Sequence, residues 1–208
     1  MRSGHPTGSP FARTCKLPTI ASSFRSQRRY CDCRHLIQGR YTAISAPHGS
    51  QAPLRFRYQT LVFGNRDIHL RTLKDAQQFL DPRGEADALG ISSANWSLFG
   101  VVWDSSQVLA NFISDFDIAG KRILEVGCGM ALSSHLLNQR NANISATDYH
   151  PEAEGYLRVN TKLNNGNAIP FKRANWANHD SGLGRFDLII GSDILYEDAH
   201  SALLADFI

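Results

Sequence analysis

Arg122-Ile-Leu-Glu125-Val-Gly127-Cys-Gly129-Met-Ala131 is the stretch that decides how this chain folds. An apolar run ends in an acid and a tight glycine pair, and a second apolar run closes on Thr147-Asp148, nineteen positions after Gly129. The pattern predicts a strand, a turn with close backbone approach to a ligand, a helix, and a second strand ending in a carboxylate. In doubly wound α/β sheets this unit holds a nucleoside-containing cofactor. The glycines admit the ligand to the backbone, and the second carboxylate accepts the ribose hydroxyls.

The dinucleotide form of the motif, G-x-G-x-x-G, needs its third glycine at position 132, which is Leu132. Neither Ala131 nor Leu132 frees the backbone to approach a pyrophosphate. Glu125 is also poorly placed beside a diphosphate, whereas a carboxylate at a strand's C-terminal end attracts an ammonium group and a sulfonium centre.

Working outward, the alternation continues on both sides. Strand Arg122–Val126 leads into a helix over roughly Ala131–Asn141. Strand Asn143–Thr147 leads into a helix opened by Pro151 at its first position and closed by Asn164-Asn165-Gly166. A strand follows around Ile169–Ala174, then a loop with Gly182 and Gly184, strand Phe186–Gly191 running to Asp193, and a helix from near Ser201. Strand and helix alternate, which predicts an α/β fold, Rossmann-like and doubly wound, with a mainly parallel sheet and sites at the strands' C-terminal ends. Upstream, Phe56, Tyr58, Leu61 and Phe63 lead through Gly64-Asn65 to Ile68 and Leu70, the signature of a β-hairpin. Residues 74–98 read as irregular or weakly helical, broken at Asp81-Pro82-Arg83-Gly84. Val108, Leu109, Phe112 and Ile113 then recur at helical spacing, with Asp104 or Ser105 as the expected N-cap.

Length and charge narrow the class. The 208 residues suffice for one α/β domain, or a domain and a tail. The net charge of +3 divides unevenly: residues 1–60 carry ten Lys and Arg against Asp32 alone, and the remainder is mildly acidic. That balance argues against a nucleic-acid-binding face on the globular part. No run approaches the roughly 18 apolar residues that span a bilayer. Cys15, Cys31, Cys33 and Cys128 build no zinc framework and read as reduced thiols of a cytoplasmic protein. We expect no metal and a monomer. Residues 1–50, rich in Arg, Ser, Thr, Gly and Pro, are expected to be a disordered basic extension. A functionless upstream extension is favoured for them over a mitochondrial transit peptide. Residues 51–208 form the domain.

Three further pieces narrow the family: Gly100-Val-Val-Trp103 before the glycine turn, Asn175-Trp176 after the third strand, and Ser192-Asp193-Ile-Leu-Tyr196 after the fourth. With Glu125-x-Gly127-x-Gly129 and Asp148 they resemble the seven-strand S-adenosylmethionine (SAM)-dependent methyltransferases. Within that class they resemble the methyltransferase-like protein-lysine methyltransferases and their bacterial nicotinamide N-methylase-like relatives. The resemblance covers about residues 54–208, with five short motifs in order. It implies that Glu125, Gly127 and Gly129 shape the pocket for the methionine moiety, that Asp148 holds the ribose hydroxyls, and that Asn175 bonds the adenine amino group beside Trp176. Trp103 would wall the cofactor or acceptor pocket, where an aromatic face favours a cation. Asp193 and Tyr196 would orient the acceptor nitrogen. Two positions depart from the family pattern: Ala131 replaces the usual third glycine, and Asp104 follows Trp103 where proline is common.

The resemblance implies a SAM-dependent N-methyltransferase acting on a protein lysine, with a small nicotinamide-like amine as the alternative acceptor. From other classes, a nicotinamide-dependent oxidoreductase is disfavoured by Leu132 and Glu125, and a non-catalytic SAM-fold binding module stays open. A seven-strand sheet would need about three strands beyond Ile208, so a C-terminally truncated domain is expected. Plainer roles exist for single residues: a core Trp103, Asp148 as a helix N-cap, Asp193 capping its loop, Tyr196 packed on the backbone, and His150 at the surface.

Overall fold

The computed structural model describes residues 54–75, 79–178 and 181–208. The expected basic extension over residues 1–50 lies outside them. Strands β1 (Phe56–Phe63) and β2 (Arg66–Leu73) pair antiparallel in a register that sets Phe63 opposite Arg66. Gly64-Asn65 is therefore a two-residue turn. Only Gly64 takes positive φ there, as a type II′ turn asks of its first central residue. Ile68 and Leu70 alternate along β2 toward the interior and are fully buried with Leu136, Leu137 and Ile113. Each such side chain contributes roughly 1.5–3 kcal/mol of burial free energy, so the hairpin shares the main core.

A short helix α1 (Glu85–Ala88) and a 3₁₀ turn at Leu98–Gly100 precede α2 (Asp104–Asp115). The N-cap of α2 is Trp103, in extended conformation and with no side-chain cap, so neither Asp104 nor Ser105 caps the helix. Its carbonyl instead accepts from the backbone of Ser106 and Gln107 and from the Ser106 hydroxyl. The expected apolar face is also split. Ala110 and Ile113 are buried, whereas Val108 and Phe112 stand 69% and 64% exposed. Residues 110 and 113 face the core, and 108 and 112 point to roughly the opposite side of the helix.

The main sheet holds β3 (Arg122–Glu125), β4 (Asn143–Asp148), β5 (Phe171–Arg173) and β6 (Leu188–Ile190), all parallel, in the order β5-β4-β3-β6. Helix α3 (Leu132–Gln139) connects β3 to β4 and α4 (Ala153–Leu163) connects β4 to β5. Pro151 stands two residues before α4, whose N-cap is Glu152, so it belongs to the entering turn rather than the first helical position. Both helices close through an asparagine in the left-handed region, Asn141 and Asn165. The amides of Ala142 and Gly166 then reach back to the carbonyls of Leu137 and Thr161, the Schellman arrangement. From β5 to β6 the described chain runs as a loop, and α5 (His200–Phe207) follows β6.

Two consequences of this topology matter for the site. The steps from β3 to β4 and from β4 to β5 go one way, while β6 lies on the other side of β3. The order reverses between β3 and β6, and open α/β sheets bind ligands at such a switch point, outside the carboxyl ends of the strands. The second consequence concerns the hairpin, which is held to α4 by side chains. The Asn160 carboxamide accepts from Arg71 N at 2.8 Å and donates to Arg71 O at 3.3 Å. Asn164 does the same for His69, at 2.8 Å in both directions. Two carboxamides thus satisfy the strand edge that β1 does not cover.

Candidate functional site

The turn after β3 is tied to its surroundings through the backbone. Val126 N donates to Ile190 O at 2.9 Å, Cys128 N to Thr147 O at 2.9 Å, and Gly129 N to Asp148 Oδ2 at 2.7 Å. Alternate residues Gly127, Gly129 and Ala131 all take left-handed φ, 57°, 49° and 55°. At Gly127 a Cβ would sit 2.6 Å from Ile194 Cγ2, so glycine is demanded there by packing as well as by φ. Ala131 fills the place of the family's third glycine in the conformation that glycine would favour, at a cost of roughly 1–2 kcal/mol.

Glu125 lies beneath this turn rather than in it. It is buried, and one carboxylate oxygen accepts from both the backbone N–H and the hydroxyl of Ser134 at the start of α3. Burial pushes its carboxyl up to about 7, although the Ser134 bonds oppose the shift. Glu125, expected to shape the pocket, is not among the residues that line the cavity and locks the helix start to the strand end beneath it. Asp148 stands at the end of β4 with Oδ1 accepting from His150 N at 2.8 Å and Oδ2 from Gly129 N. It does not cap α4, whose N-cap is Glu152. Burial raises its pKa, against backbone hydrogen bonds from His150, Gly129 and Tyr149 that favour the carboxylate.

Over the turn opens a cavity of about 500 Å³. Eight of the nine predicted site residues line it: Trp103, Gly127, Gly129, Asp148, Asn175, Trp176, Asp193 and Tyr196. The Trp103 indole donates to Leu98 O at 3.0 Å, which fixes the ring as a wall. Asn175 Oδ1 accepts from Ala177 N at 2.9 Å. Asp193 follows β6 in the left-handed region, with φ 57°. Tyr196 is 57% exposed, and its hydroxyl pKa is raised first by burial and then by Asp148, Glu197 and Asp193.

Other lining residues escaped the sequence reading. His150, expected at the surface, is 5% exposed and stacks on Phe99 with ring centroids 3.9 Å apart. Burial holds its pKa down to about 4. Its place between the acid ending β4 and Pro151 was the available signal. His200 packs edge-on against Tyr196 at 4.7 Å and Trp176 at 5.4 Å, and its spacing of four from Tyr196 was the signal there. The charge of the wall is one-sided: Asp148 and Asp193 line it, and among its described residues there is no Lys or Arg.

The family model for lysine methyltransferases matches residues 88–208, which takes in the glycine turn and every residue of this wall. The chain belongs to the lysine methyltransferase family. Over 124 residues it is 33% identical to protein N-lysine methyltransferase METTL21A of Danio rerio, covering 54% of this chain and 56% of that one. To the electron transfer flavoprotein beta subunit lysine methyltransferase of Rattus norvegicus it is 30% identical over 135 residues, 64% of this chain and 50% of the relative. The chain thus spans about half the length of these curated relatives. Magnesium protoporphyrin IX methyltransferase from Synechocystis, solved with bound SAM, aligns over 64% of this chain and 70% of its own at a TM-score of 0.42 and 19% identity. Among the described residues no helix is long and apolar enough to cross a membrane, and no cluster of His, Cys, Asp and Glu suits a metal ion.

Proposed function

We propose that the chain carries the cofactor and acceptor-orienting parts of a SAM-dependent N-methyltransferase whose acceptor is a lysine side chain of a protein. The observation that carries this reading is the cavity wall. A dinucleotide sets its pyrophosphate on glycine N–H groups at a helix N-terminus, and here Leu132 stands at the third glycine position while the wall adds two carboxylates and no Lys or Arg among its described residues. Apolar and aromatic groups, Leu98, Phe99 and Trp176, suit a base, and a carboxylate at the end of β4 suits ribose hydroxyls. The names of the relatives supply the lysine acceptor and the transferred group.

SAM, when bound, supplies a methyl group on a sulfonium that an amine displaces in line. The chain's own residues hold and orient. Asp148 accepts the ribose hydroxyls, and Asn175 accepts from the adenine amino group through the lone pair left on Oδ1. Trp103 and Tyr196 enclose the stem of the acceptor lysine at the mouth. A lysine with a reference pKa of about 10.4 must shed its proton to solvent before it attacks, and loss of water around the bound side chain favours the neutral amine. Asp193 accepts a hydrogen bond from that amine and turns its lone pair toward the methyl carbon.

The test has two arms. Calorimetry should give heat with SAM and with its demethylated product and none with NAD; heat with NAD alone overturns the cofactor. A lysate incubated with labelled SAM and this chain should carry label in lysines of the protein fraction. Label confined to small molecules rejects the protein acceptor and leaves methyl transfer standing.

A further inference from the structure

The loop that follows β6 is pinned by three contacts, one of which reaches a distant segment of the chain. Asn95 Nδ2 donates to Glu197 Oε1 at 2.9 Å, joining residues 102 apart in sequence. The other oxygen of Glu197 faces His200 Nε2 at 3.5 Å. His200 Nδ1 meets the carbonyl of Ile194 at 3.0 Å. A carbonyl only accepts, so Nδ1 carries the proton of this bond and fixes the ring's orientation, and Nε2 donates to Glu197 in the doubly protonated imidazolium. Ile194 is the residue whose side chain fills the space above Gly127. Asn95, Ile194 and His200 all line the cavity, Asn95 on the segment before the glycine turn and the other two after β6.

We infer that Asn95, Glu197 and His200 form a clasp that closes the cavity wall between these two segments and sets the position of Asp193 and Tyr196. The anchors at 194, 197 and 200 bracket Tyr196, whose ring also rests on the His200 ring. With Tyr196 and Asp193 exposed and Asp193 in the left-handed region, little else holds them at a fixed distance from the turn. Glu197 and His200 are positioning residues: they act on the acceptor amine only through the loop they hold. This assignment of purpose rests on the methyl-transfer reading above, but the clasp itself is a property of the free protein.

Amide hydrogen exchange on the full chain, free of ligand, tests the clasp. The amides of His200 and Leu203 donate to the carbonyls of Glu197 and Ala199 in this loop, and Glu197→Ala should speed their exchange by tenfold or more, leaving the amides of β3 and β4 unchanged. Asn95→Ala should act in the same direction. Glu197→Gln keeps an oxygen for Asn95 and should restore wild-type protection. Unchanged exchange at His200 and Leu203 in Glu197→Ala overturns the clasp, as does faster exchange that spreads through the sheet, because that is plain loss of stability. The purpose is read by a second measurement at saturating labelled SAM. Label incorporation into lysate protein should fall at least tenfold in Glu197→Ala and recover in Glu197→Gln, with SAM affinity within twofold of wild type. If the exchange result holds and incorporation by Glu197→Ala equals wild type, the positioning role is wrong. If wild type binds no SAM, the methyl-transfer reading has failed, while the exchange arm still decides the clasp.

Discussion

The turn after β3 and the seam between β2 and α4 treat the backbone in opposite ways. In the seam the backbone N–H and carbonyl of His69 and Arg71 are answered by the carboxamides of Asn164 and Asn160, with no residue in an unusual conformation. In the turn three alternate residues take left-handed φ, one of them an alanine. The seam is saturated and relaxed, and the turn is strained. Strain of this kind persists only where the surroundings over-determine it. Here the surroundings are Glu125 on Ser134 below, Asp148 on Gly129 beside, and Ile194 above. The backbone pairing of the scaffold lets the site keep a conformation that a lone loop would lose.

Breaking the turn should have the largest effect. Gly127→Ala adds a Cβ to a left-handed residue and drives it into Ile194; the two penalties sum to about 2–5 kcal/mol. Chemical denaturation should show that loss, and SAM calorimetry should show no binding. A variant that keeps both stability and binding would mean the turn yields easily. Breaking the seam comes next. Asn160→Ala leaves the N–H and carbonyl of Arg71 without partners and should cost about 1–3 kcal/mol, with SAM affinity unchanged because no seam residue reaches the cavity.

The third expectation sharpens the contrast through pH. His135 and His150 are buried, with pKa values lowered to about 3 and about 4, so both stay neutral when folded and take up protons on unfolding below about 6.5. Glu125, raised to about 7, does the reverse: it holds a proton when folded and releases it on unfolding above about 4.5. Between about pH 4.5 and 6.5 the unfolded chain binds two protons and the folded chain one, from these groups. Stability should therefore rise with pH at about 1.4 kcal/mol per unit. Removing the glutamate's proton with Glu125→Gln should roughly double that slope. A slope unaltered by Glu125→Gln would show that the carboxyl titrates as an ordinary glutamate. The smallest effect expected is from Ala131→Gly, which relieves a left-handed alanine and should stabilise by at most about 1 kcal/mol, less the entropy glycine adds to the unfolded chain. A destabilised Ala131→Gly would mean that the methyl group's packing outweighs the strain.

Strands β3, β4 and β6, the helices between them and the Gly64-Asn65 turn were legible because each rests on local periodicity or turn chemistry. The cavity wall was legible in the same way, as short motifs at the ends of predicted strands. What sequence alone hid were facts of tertiary context. Whether Glu125 points into the turn or beneath it depends on Ser134, nine residues away. Phe99 turned His150 from a surface residue into a stacked one. The side-chain seam on β2 leaves only two asparagines four apart, a spacing common on any helix. Helix ends slipped by one or two residues because Trp103 and Glu152 cap through the backbone, without a side-chain signal.

That pair of asparagines behaves as a vernier. Four residues of helix advance about 6 Å, and two residues of strand advance about 6.8 Å. The two rulers agree closely enough for one helical repeat to meet one pleat, and after another repeat they have drifted by about 1.6 Å, beyond the tolerance of a hydrogen bond. A helix can therefore stand in for a missing strand neighbour over two rungs and no further, which is the span found between α4 and β2.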